Sequence, residues 1–178
     1  MQVYLLRTPQ SDTAHATEPS FASLTELGVQ QAAALGRICH AADIQHLCLS
    51  TVRRAQQAAD IIEEAVPQAL RWDLDELEDV TVDDLMGDPS ATRLVAHWTA
   101  DQYRLGLRQL WARVIPAWAR IEIHAAARGI ERLAILGHER VLQLLLLNWL
   151  GLDWRALALV QLALEPGGHS RVTLAPVQ

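Results

Sequence analysis

Three groups in this 178-residue chain have the chemistry to hold an anion, and each stands near the end of a β-favouring run. Arg7 closes the run Val3 to Leu6, Arg54 lies just beyond Ile44 to Leu49, and His138 follows Leu133 to Leu136. In an open α/β sheet the carboxyl ends of parallel strands converge on one crevice, and ligands usually sit there. Arg54 also falls in the first turn of a helix expected to be capped by Ser50 or Thr51, where free backbone N–H groups favour negative charge. Two guanidinium forks and an imidazole suit a phosphoryl group, which arginine binds in a bidentate, charge-assisted manner. Isolated arginines near strand ends also serve as surface ion pairs, so spacing by itself leaves both readings open.

Composition narrows the chemistry further. The basic residues are 15 arginines and no lysine, which removes Schiff-base catalysis, a phosphate-loop lysine and a lysine general base. The formal charge is −6, and no basic stretch is interleaved with aromatics, so nucleic acid is not expected as a partner. Cys39 and Cys48 lack metal-ligand or disulfide-framework spacing and read as buried structural thiols of a protein from a reducing cytoplasm. His40, His46, His97, His124 and His169 share no ligand spacing, and His15 reads as a loop bystander, so neither a metal nor a cofactor is expected. The longest apolar run, Val141 to Leu152, is interrupted by Gln143 and Asn148 and falls short of the roughly 20 residues of a membrane span, so no membrane partner is expected.

The elements that must position these groups follow from periodicity. With 51 % hydrophobic and 20 % charged residues, the chain has the balance and length of one globular domain. Val3–Leu6 reads as a strand stopped by Pro9. A helix then begins at Thr25 as N-cap and carries Gln31, Ala32, Leu35 and Ile38, Ile44–Leu49 forms a second strand, and a helix with Ala55, Ala58, Ala59 and Ile62 runs to Pro67. Leu70–Trp72 is a third strand candidate. The eight carboxylates between Asp73 and Asp88, with no basic residue among them, predict a solvated surface loop. Leu107, Trp111, Val114, Trp118, Ile121 and Ala125 define one stripe of a long helix, kinked or restarted at Pro116, whose arginines read as a solvated face. Leu133–Leu136 predicts a fourth strand, Val141–Leu150 a buried helix, and Val160–Leu164 with Arg171–Leu174 a closing hairpin around Pro166-Gly167-Gly168. Strands alternating with helices imply a three-layer α/β/α sandwich with a mostly parallel sheet and the first strand at its centre. The six tryptophans could anchor a protein partner, but at least four stand at apolar helical positions and read as core.

In this order the segments resemble the histidine phosphatase, or phosphoglycerate mutase-like, superfamily, and particularly its small bacterial phosphohistidine phosphatases. Met1–Arg7 is similar to the family's first strand up to the arginine of its Arg-His-Gly motif. Leu24-Thr25-Glu26-Leu27-Gly28 with Gln31-Ala32 is similar to its Leu-Thr-x-x-Gly-x-x-Gln-Ala helix start, and Leu49 to Ala59 to its Ser-Ser-Pro-Leu-x-Arg-Ala-x-Gln-Thr-Ala segment. Ile135-Leu136-Gly137-His138 resembles its Val-Ser-His strand end, and His169–Leu174 its closing strand. The resemblance implies a phosphoglycerate mutase-like fold, phosphate-clamping roles for Arg7 and Arg54, and for His138 the role of the second histidine that holds and polarises the phosphoryl group. It also implies that the residue after Arg7 should be the histidine that is transiently phosphorylated, and here that residue is Thr8, followed by Pro9 in place of glycine. For the proton-donating acid of the family, which its small phosphohistidine phosphatases can also lack, the nearest candidates are Glu76 and Glu78, with Glu78 taken as the site residue, and Glu139 and Arg140 stand where the family often has small residues or proline. Two functions follow as expectations. One is a degenerate member that binds a small anion or phosphorylated ligand at Arg7, Arg54 and His138 as a binding or regulatory module. The other is an active phosphatase on phosphohistidine or another phosphomonoester with a non-standard nucleophile.

Overall fold

Apolar side chains alternate across the strands so that each strand serves two cores at once. In β1 (Gln2–Arg7), Val3 and Leu5 face one side while Tyr4 and Leu6 face the other. In β4 (Arg132–Gly137), Leu133 and Ile135 share the side of Val3, and Ala134 and Leu136 the side of Tyr4. Both strands are therefore covered on two faces, as parallel strands require. This computed structural model describes residues 1–12, 21–81, 84, 97–159 and 163–174. With β2 (His46–Ser50), β3 (Leu70–Leu74) and β5 (His169–Thr173) they form one sheet in the order β3-β2-β4-β1-β5. All pairs are parallel except β1 with β5, which is antiparallel at the edge. β1 is thus an interior strand, one place off the centre that β4 occupies.

The helices α1 (Glu26–Ala41) and α2 (Arg53–Ala65) pack on the Tyr4 face, and α3 (Ala100–Ala127) and α4 (Glu139–Trp149) on the Val3 face. The result is the expected three-layer α/β/α arrangement. Thr25 caps α1, its hydroxyl accepting from the Gly28 N–H at 3.0 Å. The predicted Ser50 or Thr51 cap of α2 is corrected: Val52 is the N-cap and makes no side-chain bond to the helix, while Ser50 Oγ accepts from the Val52 N–H at 3.4 Å. α3 runs unbroken through Pro116, which lies on its exposed face, so the helix does not restart there. The expected closing hairpin falls partly on residues outside the described ones. β5 pairs with β1, Ala163 and Leu164 lie in no regular element, and 160–162 lie outside the described residues, as does His15.

The carboxylate-rich segment after β3 is a further correction. Its described part is not a solvated excursion: a 3-10 turn, Asp75–Leu77, buries Leu77 completely, and Val80 is 5 % exposed. Arg113 of α3 holds this turn in place. Its Nη1 donates to the carbonyls of Glu76 and Glu78 at 3.0 and 2.9 Å, its Nη2 donates to the Asp79 carbonyl at 2.9 Å, and the Asp84 carboxylate completes the set at 3.1 Å. Arg113 of the supposedly solvated helix face therefore orders the turn and Arg120 pairs with Glu76, while Arg104, Arg108 and Arg128 are exposed. Asp83 and Asp88 lie outside the described residues.

Both cysteines are buried free thiols, and burial pushes each up to about 12. Trp118 is buried edge-on to Trp149 with ring centroids 4.9 Å apart, and the other four tryptophans pack partly buried against the same core. No helix among the described residues is long and apolar enough to cross a membrane.

Candidate anion-binding site

The register of the sheet brings the selected residues together. Arg7 of β1 pairs with Gly137 of β4, the residue before His138, and Leu49 before Ser50 pairs with Leu136. The carboxyl ends of β1, β4 and β2 therefore present Arg7, His138 and Ser50 side by side. α2 then carries Arg54 back over the same edge, placing its Nη2 3.3 Å from His138 Nδ1.

A guanidinium only donates, so His138 Nδ1 accepts from Arg54 and the ring proton resides on Nε2, which donates to Ser50 Oγ at 3.3 Å. Burial pushes the His138 imidazole down to about 4; the Asp79 carboxylate opposes that shift, and Arg54, Arg7 and Arg113 add to it. At neutral pH the ring is uncharged, with one donor and one acceptor, both engaged. Burial also pulls Arg54 below its ordinary value, the carboxylates of Asp79 and Glu78 oppose this, and the positive charge of Arg7 adds to the lowering. Two like-charged guanidinium groups and a neutral ring at one strand edge can receive a negative charge.

Arg7 is not turned to solvent. Its Nη1 lies 2.8 Å from Glu139 Oε2 and donates to the Leu164 carbonyl at 3.0 Å. Glu139, the first residue of α4, is held from the other side by Gln143, whose Nε2 donates to Oε1 at 3.2 Å. Thr8 is 4 % exposed, and both its groups go to one acceptor: the N–H and the hydroxyl each donate to the Gly137 carbonyl at 2.9 Å.

The two acid candidates separate. Glu78 Oε1 accepts from the Thr51 hydroxyl at 2.6 Å, beside the site, whereas Glu76 turns to Arg120 on α3. Sequence reasoning missed Asp79, whose Oδ2 accepts from Arg140 Nη1 at 3.0 Å and whose charge acts on both Arg54 and His138. It also missed Tyr103, whose hydroxyl accepts from Arg140 Nε at 3.0 Å. Tyr103 and Asp79 are far apart in the chain, and the one signal for Asp79 was its membership of the carboxylate run. Among the described residues no group of three or more His, Cys, Asp or Glu side chains is arranged to hold a metal ion.

Solved structures share this fold. The chain superposes on the alpha-ribazole phosphatase from Shigella flexneri with a TM-score of 0.77 at 19 % identity, covering 99 % of this chain and 92 % of that one. A mycobacterial glucosyl-3-phosphoglycerate phosphatase in complex with VO3 gives 0.72 at 18 % identity, covering 97 % and 90 %. The putative phosphohistidine phosphatase SixA from Agrobacterium tumefaciens gives 0.59 at 16 % identity, covering 96 % and 89 %. Comparison with curated protein sequences returns no match. The family model for the histidine phosphatase superfamily (branch 1) extends over residues 3–176, nearly the whole chain and every strand of the sheet, and the chain belongs to that superfamily.

Proposed function

We propose that this chain is a histidine phosphatase superfamily member that has lost phosphoryl-transfer catalysis and keeps an anion crevice, working as a binding or regulatory module for a phosphate or a phosphorylated small molecule. The observation that carries the reading is the state of Thr8. Covalent phosphoryl transfer needs a nucleophile with a lone pair aimed at phosphorus and, for a hydroxyl, a base to take its proton. The Thr8 hydroxyl instead donates its hydrogen bond to the Gly137 carbonyl, and both nitrogens of His138 are engaged by Arg54 and Ser50. Pro9 removes one backbone N–H that could have faced an anion. Loss of the nucleophile from a catalytic unit can cost on the order of a millionfold in rate. Arg7, Arg54 and His138 remain grouped, which supports retention of oxyanion binding by charge-assisted hydrogen bonds.

The test is steady-state hydrolysis of 4-nitrophenyl phosphate and of a phosphohistidine peptide by the purified chain, with Arg54→Ala as control, alongside calorimetric titration with inorganic phosphate. The expected result is no turnover above the control and weak phosphate binding that Arg54→Ala abolishes. Turnover that vanishes in Arg54→Ala would show the crevice to be catalytic and overturn the reading.

A further inference from the structure

The Arg7 guanidinium already holds an anion, the Glu139 carboxylate, at 2.8 Å. Glu139 also forms part of the wall of a cleft of about 540 Å³, together with Tyr103, Arg140, Gln143, Leu157 and Leu159. The same carboxylate thus touches the anion clamp on one side and an open cleft on the other. That volume lies in the range of pockets that take ring-sized organic groups.

The walls of the cleft are built rather than incidental. Arg140 is pinned between Asp79 and the Tyr103 hydroxyl, with its guanidinium 5.5 Å from the Tyr103 ring centroid. Its positive charge is thereby already matched by a carboxylate. Opposite stand apolar side chains of the 3-10 segment Trp154–Ala158 and its neighbour, among them Leu157 and Leu159, the latter 88 % exposed. Tyr103 and Leu157 also border a second cleft of about 530 Å³, with Leu107 and Trp154, so the apolar surface continues away from the anion clamp.

Resting on the anion-crevice reading above, we propose that Glu139 is a built-in competitor for the Arg7 clamp, so that inorganic phosphate binds poorly while a phosphate bearing an apolar, ring-sized organic group binds through its added contacts with Tyr103 and Leu157. To reach Arg7, inorganic phosphate must displace the Glu139 carboxylate and then lie beside that negative charge. It exchanges one charge-assisted bond for another and meets like-charge repulsion. A ligand with an organic group makes the same exchange and also buries apolar surface against Tyr103 and Leu157, a gain that inorganic phosphate lacks. Glu139 thus sets a threshold that every oxyanion must pass, and the apolar contact is what carries the organic phosphate past it.

The experiment is calorimetric titration of the whole chain with inorganic phosphate, methylphosphonate and 1-naphthylphosphonate, whose P–C bonds make the readout independent of any turnover. Wild type should bind 1-naphthylphosphonate at least tenfold more tightly than methylphosphonate. Glu139→Gln, which keeps the shape and removes the charge, should raise inorganic phosphate affinity by about tenfold. Equal affinity for the two phosphonates in wild type overturns the proposal and needs no folded variant. A Glu139→Gln chain with native circular dichroism and unchanged phosphate affinity overturns it as well. If Arg54→Ala leaves the affinities for all three probes unchanged, the anion-crevice reading itself fails; if it weakens all three while Glu139→Gln changes nothing, only the role of Glu139 does.

Discussion

The Gly137 carbonyl accepts two hydrogen bonds from a single residue, Thr8, one from its N–H and one from its hydroxyl. Its hydroxyl is buried, and its donation at 2.9 Å ties the exit of β1 to the exit of β4, where Arg7 and His138 leave the sheet. Replacing Thr8 by Val keeps the β-branched shape and removes only that donor. Because the Thr8 N–H still satisfies the carbonyl, no orphaned acceptor is created, and the expected loss is about 1 kcal/mol, the net worth of one neutral hydrogen bond. Urea unfolding followed by circular dichroism measures it. A Thr8→Val chain as stable as wild type would mean that the hydroxyl is not used for tying the two strand ends. At this scale Arg7, Arg54 and His138 were legible in the sequence because each sits within a few residues of a strand end, and parallel strand ends gather. The engagement of Glu139 with Arg7 was legible only as proximity. The distance of 2.8 Å and the Gln143 contact depend on how α4 leaves β4, which no local pattern encodes.

The start of α1 shows how an element, rather than a residue, shapes the crevice. Thr25 caps the helix and its N–H donates to the Gln10 carbonyl at 3.1 Å, while Gln31, two turns on, accepts from the Gln10 N–H at 2.8 Å. Between them Gly28 lets the backbone of Gln10 approach so closely that an added Cβ would lie 2.0 Å from its carbonyl oxygen. The Leu-Thr-x-x-Gly-x-x-Gln pattern thus clasps the loop that follows Arg7 and Thr8. Gly28→Ala forces that loop away from the helix. The expected cost is roughly 1–3 kcal/mol from overpacking, with phosphate affinity falling along with it, read by thermal unfolding and by the same phosphate titration. Unchanged binding in a folded Gly28→Ala chain would show that the clasp does not position the site. This helix was legible because its cap, glycine and glutamine act within two turns. The turn after β3 was not, because what orders it is Arg113, more than thirty residues away in α3, and a count of carboxylates carries no information about such a partner.

Across the whole molecule, two buried imidazoles at opposite ends of the sheet set the response to acid. His138 closes the carboxyl end, 4 % exposed between Arg54 and Ser50. His46 opens β2 at the amino end, 1 % exposed, parallel to the Trp72 ring at 6.0 Å, 5.2 Å from the His124 ring and with its Nε2 3.8 Å from Cys48 Sγ. Its Nδ1 is buried with no hydrogen-bond partner among the described residues. Burial pushes His46 down to about 4, and the charges of His124 and Arg128 add to the shift, whereas the usual value is 6.5. For both groups the folded chain binds fewer protons than the unfolded chain between these two values, so stability falls as the pH drops through that window. The contribution is fully present above about pH 6.5, is lost progressively toward pH 4, and changes no further below it; each imidazole accounts for as much as about 3 kcal/mol. Set against the 5–15 kcal/mol typical of folded domains, a contribution of this size is a large fraction of the total. Urea midpoints measured at intervals from pH 7.5 to 4 should fall through this range. His46→Phe, which keeps an aromatic ring against Trp72 and removes the titrating nitrogens, should lose about half as much stability over the same interval. A His46→Phe profile parallel to that of wild type would place the acid sensitivity elsewhere, and a profile that is flat in both would show that neither imidazole is held neutral by burial.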